Sequence, residues 1–261
     1  MKAYEIAKHI EKTYPLNSQM DFDNSGPIIF DGDDEVTGVL VCLDVTMSAI
    51  EFAITNGINL IVSHHPMIFN EIKSINDDIL SKRIKLLIQN SINTYSAHTN
   101  FDANLKHGMG RILIDKLFDK SLIRSEDILE KYTISWKKYG IGNIINLESF
   151  IDFNAVLNIL KEELSLRESE ISYYSFNAMQ ISKIIIIPGS GSGEVDLVIN
   201  EKPDLLITSD LKHNHIIDLL DSGISYINAS HYGLEKVFIE YMSKFIMKKY
   251  KNVYTYYETL L

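Results

Sequence analysis

The chain is poor in cysteine. Cys42 is the only one among 261 residues, so no intrachain disulfide can form. It lies in the apolar stretch Val39-Leu40-Val41-Cys42-Leu43, where it reads as a small buried hydrophobe and fits a reducing, cytoplasmic setting. No run approaches the roughly 20 apolar residues that span a bilayer, so no membrane partner is expected. Residues Met1 to Tyr14 alternate charged and apolar side chains and form no signal-type core. Basic excess is missing too: 25 Lys and Arg stand against 35 Asp and Glu, a formal charge of −10. That balance argues against a nucleic-acid partner. Repeats and low-complexity segments are absent. What is there is a globular profile, 46% hydrophobic and 23% charged with five prolines, long enough for one large core or two small ones.

The most informative stretch is Ile58-Asn59-Leu60-Ile61-Val62-Ser63-His64-His65-Pro66. A β-branched apolar run of this length reads as a buried strand, and Pro66 cannot continue it. The two imidazoles therefore sit at a strand end, where open α/β sheets bind ligands. Adjacent strand residues face opposite ways, so His64 and His65 serve two points in space. Two metal ions are one such pair of points; a strand-end pair that only caps loops is the other reading.

Around it the chain alternates strands and helices. Ala3, Ile6, Ala7 and Ile10 share a helical face that ends before Pro15. Residues 21–27 form a turn-rich loop. Val36–Leu43 is a strand; Thr46 caps a helix through Asn56, closed by Gly57. A helix over Asp77–Asn90 and a strand over Ile92–Ala97 follow, then a helix from Asn104 through Phe118. This order predicts a sheet covered by crossover helices. The charged segment Asp119–Lys131 reads as a linker to a second α/β unit. There, Tyr132–Trp136 and Ile141–Leu147 pair as strands, Asp152–Leu164 is a helix, and Ile171–Phe176 and Ile184–Ile187 are strands. A Gly-Ser-Gly-Ser-Gly turn (Gly189–Gly193) then leads into a helix to Asn200. It either presents backbone N–H groups to an anion or is a flexible turn; it lacks the P-loop and dinucleotide spacings. Strand Leu205–Thr208, helix Leu211–Asp221, strand Ile224–Asn228, one long helix Gly233–Lys249 and a β-prone tail Val253–Tyr257 complete the chain.

Four of the predicted strands end in potential ligands: Asp44; His64 and His65; His98 with Asp102; His231 with Glu235. The last two pairs have i,i+4 spacing, right for one helix face. Imidazoles with carboxylates and no thiolates suit Zn, Fe, Mn, Co or Ni rather than a closed structural zinc site. Three neutral histidines and two carboxylates offset half the formal charge of two divalent ions, leaving electrophilic character. Each residue has a plainer role open to it. Asp102 can cap a helix, Asp44 can be a strand-end acceptor or a proton shuttle, and His98 can be a neighbour of the ligands or an acid/base. His9 and His107, both placed on helices, receive no role.

Six segments carry a family resemblance: Asp23-Asn24-Ser25-Gly26, Leu43-Asp44-Val45-Thr46, Ser63-His64-His65-Pro66, Ala97-His98-Thr99-Asn100-Phe101-Asp102, Gly189-Ser190-Gly191 and His231-Tyr232-Gly233-Leu234-Glu235. In this order they resemble the Nif-three-like family, also called GTP cyclohydrolase I type 2 homologues, in its short form. The resemblance covers essentially the whole chain. It implies an α/β fold of two α/β domains, with sheets flanked by helices and a dinuclear metal site in the interdomain cleft. It also implies a toroidal homohexamer. Carried over, the metal ligands are His64, His65, Asp102, His231 and Glu235, with Glu235 bridging and His98 close by. The C-terminal stretch then packs back, giving residues 1–125 plus 237–261 as one domain and 126–236 as the other. Thr208-Ser209-Asp210, and Asn214 between His213 and His215, depart from the family pattern.

Two functions are compatible with this pattern. One is a metal-dependent hydrolase in which two divalent ions hold a bridging hydroxide that attacks a nucleotide-like or phosphorylated small molecule, with His98 or Asp44 moving the proton. The other is a non-enzymatic metal-binding or regulatory protein, such as a metal-insertion or interaction factor.

Overall fold

The computed structural model describes residues 1–176 and 180–259. The chain opens with α1 (Ala3–Glu11), which buries Ala3, Ile6, Ala7 and Ile10 as their spacing predicts. The expected loop after it contains a short strand, β1 (Gly26–Ile29). Pro27 conceals it in the sequence, yet β1 is an edge strand, where a missing N–H is tolerated. Next come β2 (Val39–Cys42), α2 (Met47–Thr55) and β3 (Leu60–Ser63). Thr46 caps α2 by accepting from the Ala49 N–H at 3.1 Å. Gly57 takes φ +64° behind it, a conformation that favours glycine. Then follow α3 (Ile79–Gln89), capped by Asp78, β4 (Asn93–Ser96) and the one-turn α4 (Thr99–Asp102).

The next helix, α5 (Met109–Leu117), begins later than Asn104. Asn104 instead closes a turn, accepting from the N–H groups of Lys106 and His107, so His107 is outside the helix. The segment read as a linker is a strand: β5 (Ile123–Ile134) pairs antiparallel with β6 (Lys137–Asp152) in a long hairpin. Its turn is Ser135-Trp136, both at positive φ, which matches the twist of the two strands. Charges hid β5 because much of the strand is solvent-facing.

After α6 (Phe153–Glu163) and β7 (Ile171–Tyr174), β8 runs from Gln180 to Ser190. It therefore absorbs Gly189 and Ser190 from the expected turn. The remaining elements are α7 (Val195–Glu201), β9 (Leu205–Ser209), α8 (His213–Asp221), β10 (Ser225–Ala229), α9 (His231–Glu235), α10 (Val237–Met247) and β11 (Val253–Thr255). The single long C-terminal helix is thus two helices. The first is a short piece capped by the Ser230 hydroxyl, which accepts from the Gly233 N–H at 3.1 Å, and it packs on β8.

Two units result. One comprises Met1–Phe101 with Phe238–Leu261, the other Asp102–Val237. The first holds a five-stranded sheet in the order β1-β4-β3-β2-β11. All its pairings are parallel except the edge pair of β1 and β4. Leu40, Cys42 and Ile61 pack there against Ala49, Ile50 and Leu87 of α2 and α3. The second holds a six-stranded sheet in the order β5-β6-β8-β9-β10-β7, parallel only across β8, β9 and β10. Ile185, Ile187 and Leu206 pack there against Val195, Val198 and Leu219 of α7 and α8. Both are α/β units with helix-covered sheets, as expected. Segment Asp102–Leu122, α5 included, belongs with the second unit, because α5 packs on β6, β8 and α6.

Candidate metal centre

In the first unit β3 runs out at Ser63, whose hydroxyl donates to the His65 carbonyl at 2.8 Å. The alternation that would part His64 from His65 ends there. Their ring centroids lie 5.0 Å apart, so they are not on opposite faces as the strand pattern alone suggests. His64 is fully buried and packs on Phe238. Its Nδ1 lies 2.8 Å from the Ala97 carbonyl, which can only accept. Nδ1 therefore carries the proton, and Nε2 keeps its lone pair. His65 sets its Nδ1 2.9 Å from Asp44 Oδ1. His98, just before α4, sets its Nδ1 2.7 Å from Asp23 Oδ1. The ligand atoms of His64, His65 and His98 all lie within 4.8 Å of one another.

Asp23 is a built support. Its side chain is sealed from solvent. It also accepts from the Thr99 N–H at 3.0 Å and the Ser25 hydroxyl at 2.8 Å. Burial alone raises its carboxyl, but the His98 imidazole and the Thr99 and Ser25 hydroxyls overcome this and hold it well below the usual carboxylate range.

In the second unit α9 carries His231 and Glu235 one turn apart. His231 Nδ1 is 2.6 Å from Asp210 Oδ2, and His231 Nε2 is 2.9 Å from Glu235 Oε2. Glu235 is buried. Asp210 follows β9 at φ +53°, and the Ser192 hydroxyl donates to its carbonyl at 2.8 Å. Gly189, at φ +67°, faces Glu235 so closely that a Cβ there would overlap Oε1. The Gly191 N–H bonds the Ser209 carbonyl at 3.3 Å. These glycines therefore serve close approach, and the Gly191 N–H is not turned toward an anion. Asp102 closes α4; its charge joins burial and Glu130 in pushing the Tyr132 phenol up to about 12.

One rule runs through both units. All four imidazoles have Nδ1 on an oxygen acceptor, three of them carboxylates, which is how metal-binding histidines are oriented and made more basic. At His231 the consequence is sharp. With Nδ1–H given to Asp210, a neutral ring turns a lone pair onto the Glu235 carboxylate. A second proton or a cation must lie between them. A divalent ion with bonds of about 2.0–2.2 Å spans two atoms roughly 3 Å apart. The donor set of nitrogen and carboxylate oxygen without sulfur suits Zn, Fe, Mn, Co or Ni.

Sequence reasoning missed Asp23 and Asp210 as supports. Both stand in segments singled out for other reasons, but their histidines are 75 and 21 residues away. Asp44 is the acceptor its strand-end position suggests. His213 and His215 lie on α8 and join no such group among the described residues. His9 stacks on Phe245 with ring centroids 4.5 Å apart.

The fold and these groups define a two-unit α/β protein with histidine–carboxylate clusters able to hold metal. The chain belongs to the Duf34/NIF3 (NGG1p interacting factor 3) family, whose model matches residues 1–259. It is 32% identical over 246 residues to a Clostridium acetobutylicum protein named GTP cyclohydrolase 1 type 2 homolog, covering 94% of this chain and 89% of that one. Among solved structures it is similar to a Staphylococcus aureus hypothetical protein, with TM-score 0.85, 25% identity, and coverage of 100% of this chain and 97% of that one. A Bacillus cereus protein related to NIF3 shares the fold at TM-score 0.86 and 19% identity, with coverage of 100% of this chain and 97% of that one. No helix among the described residues is long and apolar enough to cross a membrane.

Proposed function

We propose that the chain is a dinuclear-metal hydrolase acting on a nucleotide-like or phosphorylated small molecule. The carrying observation is the uniform tethering of Nδ1 at His64, His65, His98 and His231 to an oxygen acceptor, the orientation that metal-binding imidazoles take. His64, His65, Asp102, His231 and Glu235 would hold two divalent ions. Asp102 and Glu235 each stand within three residues of a point where the chain passes from one unit to the other. Bound divalent ions supply Lewis acidity and lower the pKa of a coordinated water. The chain's own part is to fix the imidazoles through Asp44, Asp23 and Asp210 and to bring Glu235 against Gly189. His98, backed by the Asp23 carboxylate, would accept and return a proton at Nε2. The name those relatives carry suggests ring opening of GTP, but nothing in the donor set selects that substrate. A toroidal homohexamer in the cytoplasm completes this reading.

The test is a screen of phosphoesters and nucleotides with wild type, His64→Ala and Glu235→Ala, all checked for folding. Turnover by wild type and none by the folded variants supports the hydrolase. Stoichiometric metal with no turnover of any substrate leaves a metal-binding protein and refutes the catalytic part.

A further inference from the structure

Beside the histidine cluster two phenylalanines are left in solvent. Phe22 is 62% exposed and Phe69 43% exposed, costly for side chains of this size. Their ring centroids lie 6.2 Å apart, and Phe69 stands edge-on to His98, also at 6.2 Å. His98 in turn lies 5.1 Å from His64 and 5.4 Å from His65. The rings form one row, from open aromatic faces to the imidazoles.

Both phenylalanines are referenced to the same histidine. Phe22 precedes Asp23, whose carboxylate accepts from His98 and from the N–H and hydroxyl of Thr99. The Asn24 amide donates to the Ile68 carbonyl at 2.6 Å, tying the Phe69 loop to the Phe22 loop. The aromatic pair is thus held at a fixed reach from the cluster rather than lying loose on the surface. A ligand with one end at the imidazoles can set its next group against these rings.

We infer that Phe22 and Phe69 form a ring-binding subsite, taking a planar aromatic or heteroaromatic ring carried next to the oxyanion that faces the histidines. The inference rests on the metal-site reading above for the oxyanion, and on the phenylalanines for the ring. Aromatic stacking tolerates any flat ring and rejects a small alkyl group in its place.

The experiment compares phenylphosphonate with methylphosphonate, two non-hydrolysable probes sharing the oxyanion, by calorimetry on metal-loaded protein. Phenylphosphonate binds about tenfold tighter to wild type, and Phe69→Ala and Phe22→Ala each bring the ratio toward one while metal content stays unchanged. Phe69→Tyr keeps the preference. Equal affinities in wild type, or a ratio untouched by both alanine variants, overturn the subsite. So does a ratio untouched while the alanine variants break up the oligomer, which makes the pair a contact between copies. Turnover of phenyl phosphate and methyl phosphate is measured alongside. A ring preference without turnover keeps the subsite and removes the hydrolase. Turnover with no ring preference does the reverse, and binding of neither probe removes both.

Discussion

Gly189→Ala separates the close-approach account of the glycine segment from the flexible-turn account. Gly189 sits at φ +67°, where an L-residue costs roughly 1–2 kcal/mol. Its new Cβ also meets Glu235 Oε1, the far end of a side chain that could swing away if it were free. It is not free: Glu235 is buried and lies 2.9 Å from His231 Nε2. The carboxylate must shift to admit the methyl group, and a ligand displaced this way loses metal affinity by about 10–100-fold, the range seen when support of a metal ligand is removed. The stability loss alone lowers the melting temperature by roughly 2–8 °C. Two neighbours serve as controls. Gly191→Ala drives its Cβ into Thr208 Oγ1, within the sheet and without positive φ, so it costs stability with a smaller effect on metal. Gly193→Ala meets nothing within 4 Å and is neutral. Scanning fluorimetry of the metal-free proteins and metal titration of each variant read the two effects. A Gly189→Ala protein that melts and binds metal like wild type refutes the close-approach role of Gly189.

Asp210→Asn removes the carboxylate behind His231 while keeping the shape. It lowers metal affinity about 10–100-fold and leaves the fold intact by circular dichroism; unchanged affinity contradicts the role given to Asp210. Asp23→Asn is a pH prediction. The Asp23 carboxyl is held below its ordinary value in the folded state, so its stabilisation is present above the unfolded pKa of about 3.9 and is lost as pH falls below it. The substitution therefore lowers the melting temperature of metal-free protein at pH 7 and has a smaller effect near pH 3; an equal loss at both pH values refutes the assignment.

The parts of the fold that the sequence reveals are those with local causes. The apolar run ending in His64-His65-Pro66, the Thr46 cap and the spacing of Ala3, Ile6, Ala7 and Ile10 each signal their element directly. The hairpin of β5 and β6 is hidden because its solvent-facing charges imitate a linker, and its hinge, Ser135-Trp136, lacks the glycine that usually marks such a turn. The glycine at 189, which reads as a turn in sequence, lies inside β8, where the close approach of Glu235, 46 residues on by number, needs a backbone without Cβ. The same distance effect governs the site. His64, His65, His98, His231, Asp102 and Glu235 stand at element ends and can be picked out by type and place. Of the acceptors that orient them, Asp44 is legible at its strand end, but Asp23 and Asp210 are not, since they meet their histidines only after the sheets have formed.

In the proposed centre His64, His65, Asp102, His231 and Glu235 hold two divalent ions. Equilibrium dialysis with metal analysis tests this directly. The expected result is two ions per chain in wild type, with the count reduced in His64→Ala and in Glu235→Ala. Only trace metal in wild type, or full loading that neither substitution disturbs, contradicts it.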